Sequence, residues 1–290
     1  MCLFEKRTVD EVVAICKLEP RTKSICVEGI SDKLVIDNFL QKQKKYDISV
    51  YPIDCFDFED VCSKMSSSTC KILDDSNKEK VAFLAYEVEK NVDQCSFLAI
   101  IDRDLDFINN HVKSGKYLSY TDYNSMELYL FSQEYVSSLI KNTFRITTVF
   151  KIDAFMDSLG KICRTLFYIR AYLDNYNGTL VAVKKDFSYT KSGNTCELIA
   201  EKYIQKIVQK NQLQVNPLDL YKTIEDKIAS STNDVRLEMK GHDFIHILYL
   251  SICKHTKVDM NEDELANTFW VYLDDRLLIQ EPLFQRISSL

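Results

Sequence analysis

Two apolar runs in this chain stop abruptly on acid. Residues 25–40 read I-C-V-E-G-I-S-D-K-L-V-I-D-N-F-L, and residues 97–106 read F-L-A-I-I-D-R-D-L-D. A strand buried on both faces of a parallel sheet is a continuous apolar run, so burial alone does not explain an acidic ending. If the two runs are neighbouring parallel strands, their C-terminal ends gather Glu28 with Asp102, Asp104 and Asp106. Carboxylates held together repel one another unless a cation stands among them. Hard oxygen ligands suit Mg²⁺ or Mn²⁺. Metal-assisted phosphodiester chemistry is therefore the first expectation.

The surrounding sequence predicts an α/β fold. Residues 24–28 form a short strand, and Ser31 to Gln41 follow as a helix with Leu34, Val35, Phe39 and Leu40 on one face. Residues 47–53 alternate as a second strand, and Pro52 near its end argues for an edge or a terminus. The polar stretch 57–75 reads as an exposed turn or short helix. Asn77 to Asn91 is an amphipathic helix, 96–102 a third strand and Tyr117 to Thr121 a fourth, with a helix from about Ser125 to Lys141. This βαβ rhythm implies a mostly parallel sheet flanked by helices, with ligands beyond the carboxyl ends of its strands.

From about residue 145 the rhythm changes. Ile152–Tyr176, Cys196–Asn211, Pro217–Ser230, His242–His255 and Glu262–Leu273 read as helices, with a strand or hairpin within 178–190. The expected division is residues 1–145 for an α/β catalytic domain and 146–290 for a mainly helical domain. The latter would supply substrate, dimer or partner contacts.

Composition narrows the partners. The 290 residues are 46% apolar with only 6 Gly and 4 Pro, which fits a globular, loop-poor chain. A net charge of −6 gives no general basic footprint for nucleic acid. A phosphate partner would need a local patch or the metal. The ten cysteines form no C-x-x-C pair or zinc spacing. Several, such as Cys26 and Cys253, read as buried small hydrophobes of a reducing compartment. No signal peptide and no apolar run near the roughly 20 residues of a membrane span is visible, so a cytoplasmic protein without membrane contact is expected.

The candidate residues carry alternative readings. Asp32 lies one helical turn past Glu28, where it either faces the strand ends or caps the helix. Asp102 and Asp104 share a face if the backbone is extended, and Asp106 continues it; otherwise they cap a turn. Gly29 would permit a tight turn beside a ligand. Glu127, in T-D-Y-N-S-M-E at 121–127, is either a first-turn acid favoured by the helix dipole or a metal ligand. In K-G-H-D at 240–243, Lys240 could stabilise a pentavalent phosphorus or protonate a leaving oxygen, while Asp243 could simply cap a helix. His242 could do acid–base work or be structural. The lysines at 42, 44, 45, 184, 185, 202, 206 and 210, with the aromatic stretch Phe167–Tyr172, are the best phosphate or base contacts on offer.

The segments V-E-G-I-S-D-K (27–33) and D-R-D-L-D (102–106) resemble the Toprim signature, over roughly residues 20–145. T-D-Y-N-S-M-E and K-G-H-D are similar to a bacterial subgroup near the overcoming-lysogenization-defect nucleases, which includes effectors of PARIS-type phage defence. The resemblance implies Glu28 as essential acid and metal ligand. It implies Asp102 and Asp104 as further ligands, and Asp32 and Glu127 as ligands of a second metal; Asp106 is a position that related nucleases often lack. It also implies a toxic Mg²⁺-dependent nuclease, held inactive by an ABC-type ATPase sensor, that dimerises on release and cleaves host tRNA. The chain has no P-loop, so ATP-driven sensing would belong to that partner. DNA cleavage, a regulatory subunit with a relict site, and a primase-like transferase are the alternatives.

Overall fold

The computed structural model describes residues 6–63, 66–146, 150–190, 194–256 and 259–290. Cys2 and the side chain of Cys253 lie outside what is described. The chain is α/β, with parallel sheets flanked by helices. It divides into two compact units: residues 1–122 with 274–290, and residues 123–273. The boundary expected at 145/146 thus falls inside the second unit.

In the first unit, β1 (Arg7–Thr8) leads into α1 (Val9–Leu18). This helix starts on a capping box: Thr8 accepts from the Glu11 amide while the Glu11 carboxylate accepts from Thr8. Next come β2 (Lys23–Val27), α2 (Ile30–Lys42), β3 (Ile48–Pro52) and β4 (Phe56–Asp57). Then follow α3 (Glu59–Ser63), α4 (Ser67–Asp75), α5 (Asn77–Asn91), β5 (Phe97–Ile101) and β6 (Leu118–Tyr120). The stretch 57–75 is therefore mostly helical.

The main sheet has the order β3-β2-β5-β6, and every neighbouring pair is parallel. β2 and β5 are the two central strands, and this is why β2 is apolar from Ile25 onward and β5 along its whole length: Ile25, Cys26, Val27 and all five residues of β5 are buried, while Lys23 and Ser24 at the start of β2 are half-buried. β3 is an edge strand and Pro52 is its last residue, so the missing N–H costs no inner ladder bond. α5 lays Val81, Leu84, Ala85 and Val88 into the same core as Phe97, Ala99 and Ile101. Its N-terminus is capped by Ser76, whose hydroxyl accepts from the Glu79 amide.

The second unit opens with a 3-10 segment, Met126–Leu130, then α6 (Gln133–Ser138) and a wider turn at Leu139–Thr143. The single helix expected over 125–141 is broken because Ser132 caps a new start, accepting from the Tyr135 amide. α7 (Ile152–Asp174), a hairpin of β7 (Phe187–Thr190) and β8 (Thr195–Leu198), α8 (Ala200–Lys210) and α9 (Pro217–Ser230) follow. Residues 195–198 extend as a strand, so α8 starts four residues later than its periodicity suggests. α10 (Gly241–His255) packs on α7, and α11 (Glu262–Trp270) completes this unit. α12 (Asp275–Leu278) and α13 (Pro282–Ser289) belong to the first unit.

Candidate functional site at the carboxyl ends of the central strands

β2 and β5 are adjacent, parallel and in register Val27 to Ile100. Their next residues meet directly: the Asp102 amide donates to Glu28 Oε1 at 2.8 Å. Glu28 keeps part of its surface open, yet the protein packed around its carboxyl desolvates the charge. Desolvation is the main cause that pushes its pKa up to about 8. The Asp102 amide opposes that rise, the nearby charges of Asp104 and Asp32 add to it, and Lys78 opposes it. Glu28, Asp32 and Asp104 thus share one electrostatic site.

Asp32 reaches back from the first turn of α2, where its Oδ2 accepts the Gly29 amide at 3.1 Å. Gly29 itself sits in ordinary extended backbone, φ −143° and ψ 174°. A Cβ there would meet only Asp32 Oδ2 at 3.8 Å. The strand-to-helix turn therefore does not require a glycine.

After β5 the chain turns rather than running on extended. Asp104 has φ 47°, in the left-handed region that Asp and Asn tolerate best among non-glycine residues. The Asp106 amide then closes on the Arg103 carbonyl at 3.1 Å. The extended-face expectation for Asp102, Asp104 and Asp106 fails for that reason, but the turn still returns Asp104 and Asp106 to a common partner. That partner is Lys78. Its Nζ lies 2.9 Å from Asp106 Oδ2 and 3.5 Å from Asp104 Oδ2, and donates to the Arg103 carbonyl at 3.2 Å. Asp106 Oδ2 also accepts the Tyr120 hydroxyl at 2.8 Å. Beside it, Asn77 donates to the Glu28 carbonyl at 3.0 Å.

Neither Lys78 nor Asn77 is among the residues singled out from the sequence. A signal was present: a lysine in the first turn of a helix faces the positive end of the dipole, a position that calls for a compensating anion.

Glu127 and Lys240 belong to the second unit. Glu127 lies in the 3-10 segment rather than the first turn of an α-helix, with its Oε2 against Gly241, the first residue of α10. Ser125 Oγ accepts the Gly241 amide at 3.1 Å, and Asn124 donates to the Met239 carbonyl at 2.7 Å. Lys240 is the N-cap residue of α10. Asp243 is not a helix cap; it forms a two-pronged pair with Arg170, at 2.9 and 2.7 Å. His242 is exposed.

The basic and aromatic candidates are largely structural. Lys206 clasps the buried Asp186 at 2.6 and 2.7 Å, and Lys210 donates to the Leu180 carbonyl. Phe167 is buried, and Arg170 is occupied by Asp243. Lys184, Lys185 and Lys202 remain exposed.

Among the described residues, no three His, Cys, Asp or Glu side chains are gathered, as they stand, into a group that could hold a metal ion. None of the described helices is long and apolar enough to cross a membrane. No protein-family model matches the chain, and no curated protein matches it.

Proposed function

We propose that the chain is a Toprim-like, Mg²⁺- or Mn²⁺-dependent endonuclease, with Glu28, Asp102 and Asp104 as its working carboxylates. One observation carries the reading: the two central parallel strands end side by side in Glu28 and Asp102, joined by the 2.8 Å bond from the Asp102 amide. An α/β sheet presents its ligand sites at this edge. Carboxylate oxygens are the donor type a hard divalent ion takes, but as they stand the described side chains are not gathered into a metal-holding group, so binding requires them to close on the ion. Glu28 is held against ionisation by desolvation and two like charges. A cation beside Glu28 relieves both effects. Glu28, Asp102 and Asp104 would hold that ion, with Asp32 beside them. When bound, it supplies the positive charge that acidifies water and stabilises a leaving oxygen.

The chain's own residues then have distinct tasks. The Asp102 amide fixes Glu28 Oε1. Glu28 serves as a ligand, and it can accept a proton from water only once a bound cation has brought its carboxyl to the ionised form. Lys78 and Tyr120 hold Asp106, which acts as a support for the turn. Glu127 and Lys240 are assigned to the same reaction only through the resemblance of their segments to the nuclease subgroup. A tRNA substrate, a homodimeric active form and an inhibitory ABC-type ATPase partner rest on that resemblance too, as does a phage-defence role.

The test is cleavage of RNA and of DNA by the wild-type chain and by Glu28→Ala, each followed by sequencing of the nucleic-acid ends. Glu28→Ala is expected to keep its melting transition and lose at least a hundredfold in rate, the scale typical of removing a proton-transfer group. Cleavage that persists in Glu28→Ala overturns the assignment. Glu28-dependent cutting of DNA with RNA left whole would keep the site and change the substrate.

A further inference from the structure

A cleft of about 520 Å³ opens in the second unit, within the size range of small-molecule sites. One face of α7 lines it, where Asp157, Gly160, Lys161 and Arg164 recur at helical spacing. Gly160 sits in mid-helix, where glycine costs stability relative to alanine. A Cβ there would come within 3.3 Å of Val235 and 3.5 Å of the Phe131 ring, so both side chains close in on the helix at this point. Met156 and Ile228 extend the apolar lining.

Arg164 is held in one orientation at this cleft. Its Nε and Nη2 donate to Glu238 Oε2 at 2.9 and 2.6 Å, and Nη2 also donates to the Ile228 carbonyl at 3.1 Å. Glu238 is only 3% exposed and accepts in turn from Ser231 and Asn233. A buried ion pair adds little stability over apolar side chains of the same size. This one fixes a guanidinium beside the cleft with Nη1 unengaged among the described residues. Lys161 is loosely paired with Glu225, at 3.6 Å. Asp157 has no hydrogen bond or ion pair among the described residues.

Two cationic donors near one end call for an anionic oxygen group, and the planar edge of a guanidinium suits phosphate. Asp157 lies two helical turns from Arg164, about 10 Å along the axis, and offers an acceptor to N–H donors. The apolar side chains between them suit a flat ring. We propose that the cleft binds a purine nucleoside monophosphate, with its phosphate on Arg164 and Lys161 and its base against Phe131 and Met156, toward Asp157. Inorganic phosphate is too short to engage both ends. The site lies in the second unit and does not rest on the nuclease reading.

The experiment is calorimetric titration of the full chain with GMP and, separately, AMP. A chelator is present, so that no divalent ion bridges phosphate to the carboxylates of the first unit. At least one nucleotide is expected to bind, one per chain. Guanosine, adenosine and inorganic phosphate each lack one end and are expected to bind at least about tenfold more weakly, the scale of one charge-assisted hydrogen bond. Arg164→Lys keeps a charge beside Glu238 but lacks the second guanidinium edge, and is expected to lose about tenfold or more in affinity. Lys161→Met is expected to weaken binding in the same direction.

Failure of both nucleotides to bind overturns the proposal. Inorganic phosphate or the nucleosides binding as tightly as the nucleotides overturns it too. Nucleotide binding that Arg164→Lys and Lys161→Met leave unchanged puts the nucleotide elsewhere and refutes the assignment. If Arg164→Lys lacks a cooperative melting transition, Lys161→Met decides alone, since its side chain is 65% exposed and its loss leaves the fold intact.

Discussion

Gly241 and Gly29 sit at two of the motifs that the sequence marks, and they obey different physics. A Cβ on Gly241 would overlap Glu127 Oε2 and Ser125 Oγ and come within 2.8 Å of Glu127 Cβ. The start of α10 and the 3-10 segment carrying Glu127 approach each other closely because residue 241 has no side chain. Gly241→Ala must push that segment away, at a cost of about 1–3 kcal/mol or more for overpacking. Gly29→Ala meets only ordinary contact in extended backbone and should stay within about 0.5 kcal/mol of wild type. Urea midpoints of the two variants measure the contrast. Equal midpoints would mean that Glu127 is free to rotate off Gly241. The importance of Gly241 is visible in K-G-H-D only as an unexplained glycine opening a helix; the reason lies more than a hundred residues away, at Ser125 and Glu127.

At the scale of elements, α13 shows how the last segment of the chain completes the first unit. Leu283, Phe284 and Ile287 are buried, and Phe284 packs edge-on against Phe39 of α2, with centroids 4.9 Å apart. Asp122 accepts the Leu283 amide, 3.2 Å from Oδ1 and 3.1 Å from Oδ2, and Arg286 donates to the carbonyls of Lys116 and Leu118 at the foot of β6. Phe284→Ala removes a fully buried ring and should cost about 3–5 kcal/mol, read from chemical denaturation. A loss under about 1 kcal/mol would mean that α13 does not pack there.

The same helix marks the limit of sequence reading. Strands β2, β3 and β5 and helices α2 and α5 were legible because apolar runs and 3.6-residue periods are local properties. The pairing of β2 with β5 enters the sequence reading only as the condition under which the acidic endings would meet, and the structure meets that condition. Neither the return of α13 nor the descent of Lys78 into the acidic turn has a local signature of that strength. The turn at Asp104 was hidden for a related reason: D-x-D-x-D looks alike whether extended or curled, and the partner that curls it sits on another element.

For the whole molecule, the acidic centre couples folding to pH. Glu28 in the unfolded chain has an ordinary pKa of 4.5, and in the fold it is raised to about 8, first by desolvation and then by Asp104 and Asp32. Below pH 4.5 both states carry the proton and Glu28 leaves stability unchanged with pH. Between 4.5 and 8 the folded chain retains a proton that the unfolded chain has lost, so stability falls as pH rises. Above 8 both states are ionised and the full penalty stands, on the order of a few kcal/mol. In chelator-treated protein the melting temperature should therefore fall from pH 5 to pH 8. Glu28→Gln, which has no proton to lose, should flatten the part of that slope due to this group and melt higher than wild type at pH 8. The difference between the two curves reads Glu28 together with its electrostatic coupling to Asp104 and Asp32. Saturating Mg²⁺ should raise the wild-type melting temperature most at pH 8, where it binds the ionised carboxylate; an ion at 100 times its dissociation constant adds about 2.7 kcal/mol. Parallel curves for wild type and Glu28→Gln would mean that Glu28 is ionised throughout and that its burial is balanced by charge already present, which would leave the centre no deficit for a divalent ion to fill.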